Sequence, residues 1–295
     1  MESGEGLKFE AQKSQPKVER VTITDLRPVT PERGGSVLVL QRNAKDKDNR
    51  KLPKDSPDFG KLDAGEPEAT QAQSKEFFDQ IFAELTPEER STVDILIVGA
   101  DTTLNMPDGR TSPHKRGFDT AEHVLTGVQD AMKEFSVAQA QLLNKLGKPI
   151  ELTSGRLKDL KMMEDSPEFV QFLVNKYGSG QEFWNAYESD VEKETRTRMK
   201  AEGPVEIADR VGQYMGTLDN AMKLYHQSHP GRRAIVWAVS HYDSISPFLK
   251  QKVTGQPLED YLPVDNRGGV VFNIKPSGES STQVQGQSYQ VNLAK

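Results

Sequence analysis

Three short apolar runs constrain the fold of this chain more than any other feature of its sequence. They lie in the stretches 35–44, 93–99 and 233–240 and consist of Val, Leu, Ile, Ala and Trp. Runs of this length are typical of strands that are buried on both faces of a sheet. Because helical segments separate them, the chain is predicted to form a three-layer α/β fold. Its sheet is expected to be doubly wound and mainly parallel, with helices on both faces.

Three other stretches show the apolar spacing of amphipathic helices. Residues 69–85 place seven apolar side chains on one helical face, and Thr86 and Pro87 follow that face directly. Residues 120–135 repeat the same spacing with six apolar side chains. Pro204 predicts the start of a further helix that runs to about residue 226.

The distribution of polar residues suggests one domain with additions. Residues 1–34 are polar and contain prolines, so we interpret them as an N-terminal extension. Residues 35–295 form the expected single domain, with a charged helical insertion at about 150–226. Residues 45–61 predict a long loop, and residues 269–274 and 288–291 predict a terminal β-hairpin.

Composition excludes several kinds of chemistry. The chain has no cysteine, which removes disulfides, thiolate metal sites and cysteine nucleophiles. Its net charge of -6 gives no reason to expect nucleic acid or a membrane as a partner. No stretch reaches the about 20 apolar residues of a membrane span, and the acidic start lacks the apolar core of a secretory signal. We therefore expect a cytoplasmic protein, and no histidine pair has a spacing that suggests a metal or other cofactor.

Polar side chains follow the predicted strands at the points where these end. Arg42 and Asn43 follow the first strand, His241 follows the third, and the second leads into a loop that contains Ser112 and Arg116. Because the carboxyl ends of parallel strands meet at one edge, ligands bind there in open α/β sheets. Two guanidinium groups and an imidazole at that edge are suited to a phosphate.

Several motifs resemble the histidine phosphatase superfamily, which is also called phosphoglycerate mutase-like. Residues 112–122 resemble its Ser-Pro-x-x-Arg-x-x-x-Thr-Ala-Glu signature, and residues 236–241 resemble the strand that delivers its second catalytic histidine. Residues 62–69 are similar to the turn before its first helix. The resemblance spans about residues 36–274. It implies a phosphate pocket formed by Arg42, Asn43, Arg116 and His241.

The chain departs from that family at the position of its nucleophile. The family's first strand ends in Arg-His-Gly or Arg-His-Ala, whereas this chain reads Arg42, Asn43 and Ala44. An asparagine amide has no basic nitrogen, so it cannot form the phosphohistidine intermediate. It still donates hydrogen bonds. We therefore expect phosphate binding with impaired or lost catalysis.

The general acid is assigned by resemblance as well. In mutase-like members it is a glutamate after the second arginine, and Asp159 stands in the corresponding Leu-x-Glu segment. In acid phosphatases it follows the second histidine, where this chain has Tyr242 and then Asp243. Glu151 is a further candidate. Asp159 is the tentative acid among them.

Three functions remain open at this point. The first is a binder of a phosphorylated small molecule or a phosphoprotein, with Asn43 in the place of the nucleophile. The second is an active phosphomonoesterase in which His241, as nucleophile or as a group that polarises water, works with an acidic residue. The third is an interaction scaffold with a vestigial pocket, whose partner surface is the helical insertion.

Overall fold

A computed structural model of the chain describes residues 22–23, 26–47, 52–53, 55–103, 109–144, 147–152, 166–178, 180–259 and 262–293. Within these ranges seven strands form one sheet in the order β3-β2-β4-β1-β5-β6-β7. The strands are β1 (Ser36–Arg42), β2 (Val93–Ala100), β3 (Ile150–Leu152), β4 (Arg233–Ser240), β5 (Gly269–Ile274), β6 (Ser280–Val284) and β7 (Gln287–Val291). The four strands from β3 to β1 are parallel, and β5, β6 and β7 extend the sheet in antiparallel pairs.

Eight α-helices lie in the described ranges. They are α1 (Glu66–Glu84), α2 (Pro87–Arg90), α3 (Arg116–Glu134), α4 (Pro167–Tyr177), α5 (Gln181–Glu188), α6 (Lys193–Arg198), α7 (Pro204–Ser228) and α8 (Tyr242–Phe248). A 3-10 turn covers Gln139–Gln141, and a π-helical turn, Leu249–Thr254, continues α8. Prolines begin several of these helices, because the first turn needs no N–H donor from them.

The first face of the sheet is covered by α1 and α3. Trp237 of β4 is fully buried there, and the rings of Phe77 and Phe78 lie 4.9 Å and 6.0 Å from its ring. The indole Nε1 of Trp237 donates to Oε1 of Gln41 at 2.9 Å. This buried hydrogen bond satisfies the single polar atom of the indole, so the aromatic cluster fixes α1 on the sheet.

The second face is covered by helices of the region expected to be an insertion and by α8. The longest of them, α7, buries an apolar stripe in the same cluster as Leu38 of β1 and Val236 of β4. That stripe comprises Ile207, Val211, Met215 and Met222. The α/β fold with helices on both faces is therefore confirmed, and α7 contributes one of its layers.

Two details differ from the sequence-based expectation. The predicted hairpin of residues 269–274 and 288–291 is wrong, because β6 lies between β5 and β7 and pairs with both. Residues 280–284 (SSTQV) have too little apolar character to indicate a strand by themselves. The second difference is the antiparallel extension, which makes the sheet mixed.

No helix in the described part of the chain is long and apolar enough to cross a membrane.

Close packing between β2 and α3 yields a first prediction. A Cβ atom at Gly99 would lie 2.8 Å from Cα of Phe118 and 2.9 Å from Cβ of Ala121. Gly99→Ala is therefore expected to lower the free energy of unfolding by about 1–3 kcal/mol, the usual cost of overpacking. Gly212→Ala in α7 is the control, because its nearest neighbour would be the flexible side chain of Lys252 at 3.7 Å. Urea denaturation of both variants tests this, and equal stability would contradict the tight contact.

A histidine at the opposite end of β1 yields a second prediction. The ring Nε2 of His226 lies 2.7 Å from Oγ of the buried Ser36, and burial lowers the pKa of His226. As the pH falls below about 6.5, the unfolded chain takes up a proton that folded His226 resists, so stability is lost. His226→Gln is expected to lose less stability than the wild type between about pH 7.5 and about pH 5.5. Denaturation with urea at both pH values measures this, and His123→Gln in α3 is the control, because His123 is not among the groups that shift the pKa of His226.

Candidate functional site

The parallel pairing of β1 and β4 brings two of the expected site residues together. Arg42 and Ser240 are register partners. Asn43 follows Arg42 along the chain, and His241 follows Ser240. The backbone N–H of Asn43 donates to the carbonyl of Ser240 at 2.7 Å. Asn43 and His241 therefore leave adjacent strands at the same level, and both are buried.

A buried threonine links the end of β1 to the start of α3. The backbone N–H of Ala44 donates to Oγ1 of Thr120 at 3.0 Å, and this hydroxyl donates to the carbonyl of Arg116 at 2.7 Å. The side-chain amide of Asn43 donates to the carbonyl of the next residue, Ala44, at 2.7 Å. Arg116, the first residue of α3, is thereby fixed close to the segment that contains Asn43.

The two arginines have different surroundings. Nη1 of Arg42 donates to the carbonyl of Val264, and Cζ of Arg42 lies 5.1 Å from the ring centroid of Tyr242. A guanidinium at that distance gains cation–π attraction. Nη1 of Arg116 lies 3.5 Å from Oδ1 of Asp46, and both of these side chains are half-buried. The two guanidinium groups are therefore held by different neighbours.

His241 occupies the turn between β4 and α8. Its backbone is extended, and its carbonyl accepts the N–H groups of Ser244 and Ile245, each at 3.2 Å. The strand and the helix therefore fix its Cα on both sides. With only 3% of its surface exposed, the imidazole is a buried group at the end of the sheet.

The candidates for a general acid differ in their surroundings. Glu151 is exposed and forms an ion pair with Lys115, and this hydrogen bond raises the pKa of Lys115. Asp243 is buried in the first turn of α8, one residue beyond Tyr242. Asp159 lies outside the described residues, so its role as the acid stays a prediction.

The Ser-Pro segment joins two loops beside the site. Oγ of Ser112 donates to the carbonyl of Phe59 at 2.8 Å and accepts the backbone N–H of His114 at 2.9 Å. Gly60, at φ +79°, lies so close that a Cβ there would be 2.0 Å from that hydroxyl. Nε2 of His114 is also 3.0 Å from the carbonyl of Pro57. The described part of the expected long loop is therefore anchored against the Ser-Pro segment.

A buried polar cluster beside the site was not predicted from the sequence. Glu188 of α5 accepts hydrogen bonds from the hydroxyl of Tyr242, from Oγ of Ser246 at 3.0 Å and from Nζ of Lys250 at 2.6 Å. The three donors recur every fourth residue, so they lie on one face of α8 and its π-helical continuation. That spacing was a signal in the sequence. Nothing in the sequence pairs this face with Glu188.

Within the described ranges no group of three or more His, Asp or Glu side chains is arranged to hold a metal ion. An open groove of about 560 Å³ lies elsewhere, on β5, β6 and β7, and is lined by residues such as Arg27, Asn273 and Gln283. None of the expected site residues lines that groove. The site expected at the strand ends therefore lies apart from this groove.

Comparison with known proteins gives solved structures that are similar at low sequence identity. No family model and no curated protein sequence matches the chain. The phosphoglycerate mutase from Bacillus anthracis str. Sterne is 12% identical, with a TM-score of 0.45 over 87% of this chain and 95% of that one. YhfR of Bacillus stearothermophilus is 14% identical, with a TM-score of 0.42 over 88% and 100%. The Hafnia alvei phytase, solved with myo-inositol hexakis sulphate, is 12% identical, with a TM-score of 0.34 over 90% and 91%.

The link through Thr120 yields a third prediction. Thr120→Val keeps the shape of the side chain but leaves the backbone N–H of Ala44 buried without its acceptor. We expect the free energy of unfolding to fall by about 1–3 kcal/mol, the cost of an unsatisfied buried donor. Thr120→Ser retains the hydroxyl and is expected to lose less. Urea denaturation compares the two, and a valine variant as stable as the serine variant would refute the role of the hydroxyl.

Proposed function

We propose that this protein binds phosphorylated ligands where β1 and β4 end, through Arg42, Asn43, Arg116 and His241. We further propose that it is a histidine-phosphatase-like protein in which Asn43 has replaced the phosphate-accepting histidine. The observation that carries the proposal is the hydrogen bond from Asn43 N–H to the Ser240 carbonyl at 2.7 Å. It supports the joint placement of the asparagine and the histidine beside two arginines.

The chemistry of these groups suits a phosphate dianion. Guanidinium groups bind phosphate oxygens through paired N–H donors, and such charge-assisted bonds are about twice as strong as neutral ones. An imidazole donates one further hydrogen bond, and a second when it is protonated. The Asn43 amide adds a neutral donor. The ligand is therefore a phosphorylated small molecule or a phosphoprotein whose phosphate enters this pocket.

Catalysis is expected to be weak or absent for a chemical reason. In covalent catalysis a histidine nitrogen attacks phosphorus, the alcohol leaves, and water then releases the phosphate. The amide nitrogen of Asn43 has no free lone pair for the first of these steps. Direct attack by water would lack the covalent intermediate that divides the reaction into easier steps.

His241 supports a second candidate function. It is buried directly opposite Asn43, with its backbone fixed by the turn into α8. In a slow phosphomonoesterase, this imidazole would attack phosphorus itself or polarise the attacking water. Such an activity would be present in the wild type, with Asn43 unchanged. It would be lost when His241 is replaced.

The fourth prediction separates these functions. We expect the wild type to bind orthophosphate in isothermal titration calorimetry without hydrolysing p-nitrophenyl phosphate, and Asn43→His to gain turnover. Arg42→Ala and Arg116→Ala are each expected to weaken binding by about tenfold or more, which corresponds to one charge-assisted hydrogen bond. The matched control is Arg90→Ala. Arg90 also donates to a carbonyl, at 2.7 Å, and lies 4.8 Å from an aromatic ring, but at the amino end of β2.

Each other outcome has a definite meaning. Wild-type hydrolysis that disappears in His241→Ala would favour the phosphomonoesterase. Binding that survives both Arg42→Ala and Arg116→Ala would refute the pocket. An absence of both binding and turnover, even in Asn43→His, would favour a scaffold with a vestigial pocket.

A further inference from the structure

A buried ion pair lies next to the proposed pocket and includes none of its four residues. Nζ of Lys250 is 2.6 Å from Oε2 of Glu188, and these side chains are 0% and 2% exposed. Nζ of Lys250 also donates to the carbonyl of Leu258 at 3.1 Å. Removing two charges from water is costly, and well-packed apolar residues are often at least as stable. The pair therefore calls for an explanation other than stability.

The carboxylate of Glu188 has further donors on the same helix. It accepts the hydroxyl of Tyr242 on one oxygen, and Oγ of Ser246 at 3.0 Å and Nζ of Lys250 on the other. These three residues follow one another at four-residue intervals, so they share one face of α8 and its π-helical continuation. The single carboxylate of Glu188 thus accepts hydrogen bonds from all three residues on this face.

Two contacts of Arg42 lead back to this cluster. The first is the ring of Tyr242, whose centroid lies 5.1 Å from Cζ of Arg42 and whose hydroxyl is bound by Glu188. The second is the carbonyl of Val264, which accepts Nη1 of Arg42. Two residues earlier, the carbonyl of Leu262 lies 3.0 Å from Oγ of Ser246. The cluster therefore fixes the ring and the loop between which the guanidinium lies.

We infer that Glu188 is a positioning residue for Arg42. It fixes the tilt of the Tyr242 ring and the place of the 262–264 loop, and through them the direction of the guanidinium. This inference rests on the proposed function, in which Arg42 binds phosphate. It makes α5 part of the machinery of the pocket, although Glu188 itself touches no ligand.

The energetic consequence concerns the entropy of a long side chain. A guanidinium already held in its binding geometry loses little rotamer freedom when a phosphate arrives. Without the cluster, the Tyr242 ring can rotate, and the guanidinium loses part of the support for its geometry. Restoring that geometry when the ligand binds costs side-chain entropy, which weakens binding by about tenfold.

The deciding variant is Glu188→Gln/Lys250→Met, which removes both charges together and nearly preserves both volumes. We expect its dissociation constant for orthophosphate to rise by about tenfold, with cooperative thermal unfolding retained. Its Arg42 Nε–Hε resonance, assigned by its loss in Arg42→Lys, is expected to shift because the ring current of Tyr242 changes. Tyr242→Phe retains the ring and loses the hydroxyl, so it should shift both readouts in the same direction by less.

The control is a second buried ion pair of the same region. Nε of Arg196 is 2.7 Å from Oδ1 of Asp190, and these side chains are 6% and 9% exposed. Asp190→Asn/Arg196→Met neutralises that pair without altering the face of α8. Its affinity for orthophosphate and its Arg42 resonance are expected to match those of the wild type.

The readouts distinguish failure of this inference from failure of the proposed function. Wild-type affinity with an unmoved Arg42 resonance in Glu188→Gln/Lys250→Met would overturn the inference, as would an equal loss in the control variant. If the double variant does not fold, Tyr242→Phe decides by the same two readouts. A shifted resonance in a protein that binds no orthophosphate would support the positioning by Glu188 and refute the proposed function.

Discussion

The parallel pairing of β1 with β4 is the constraint on which the rest of the site depends. Its register places Arg42 opposite Ser240, so Asn43 and His241 must leave the sheet side by side. A shift of one residue would turn every side chain of β1 to the other face and destroy both apolar layers. The same register places Leu38 in one apolar layer and Val39 in the other. Packing of the core therefore also fixes the geometry of the site.

Around the ends of β1 and β4, neighbouring groups position the two arginines. Thr120 links the start of α3, and with it Arg116, to Ala44. Tyr242 and the Val264 carbonyl hold Arg42. Preorganised donors bind an anion more tightly than mobile ones, because the entropy of ordering has already been lost on folding. This arrangement favours binding whether or not a chemical step follows.

The proposed replacement of a histidine by Asn43 would separate binding from chemistry in a testable way. An amide preserves size and hydrogen bonding but removes the basic lone pair, so recognition of a phosphate can persist where covalent transfer cannot. The proposed role of Glu188 extends this view, since it concerns the placement of Arg42 and not turnover.

The sequence by itself determined the central strands β1, β2 and β4, the helices α1, α3 and α7, and the strand ends with their charged residues. Apolar runs and helical spacing are local patterns, so β4 was predicted with its observed limits and α7 to within two residues of its end. The strand β6 was missed because its residues pack on neighbours that the chain reaches only through a turn. Only the tertiary structure decided that Glu188 meets Tyr242, Ser246 and Lys250. That contact joins positions more than fifty residues apart, and such pairings depend on how α5 and α8 pack on the sheet, which no local pattern encodes.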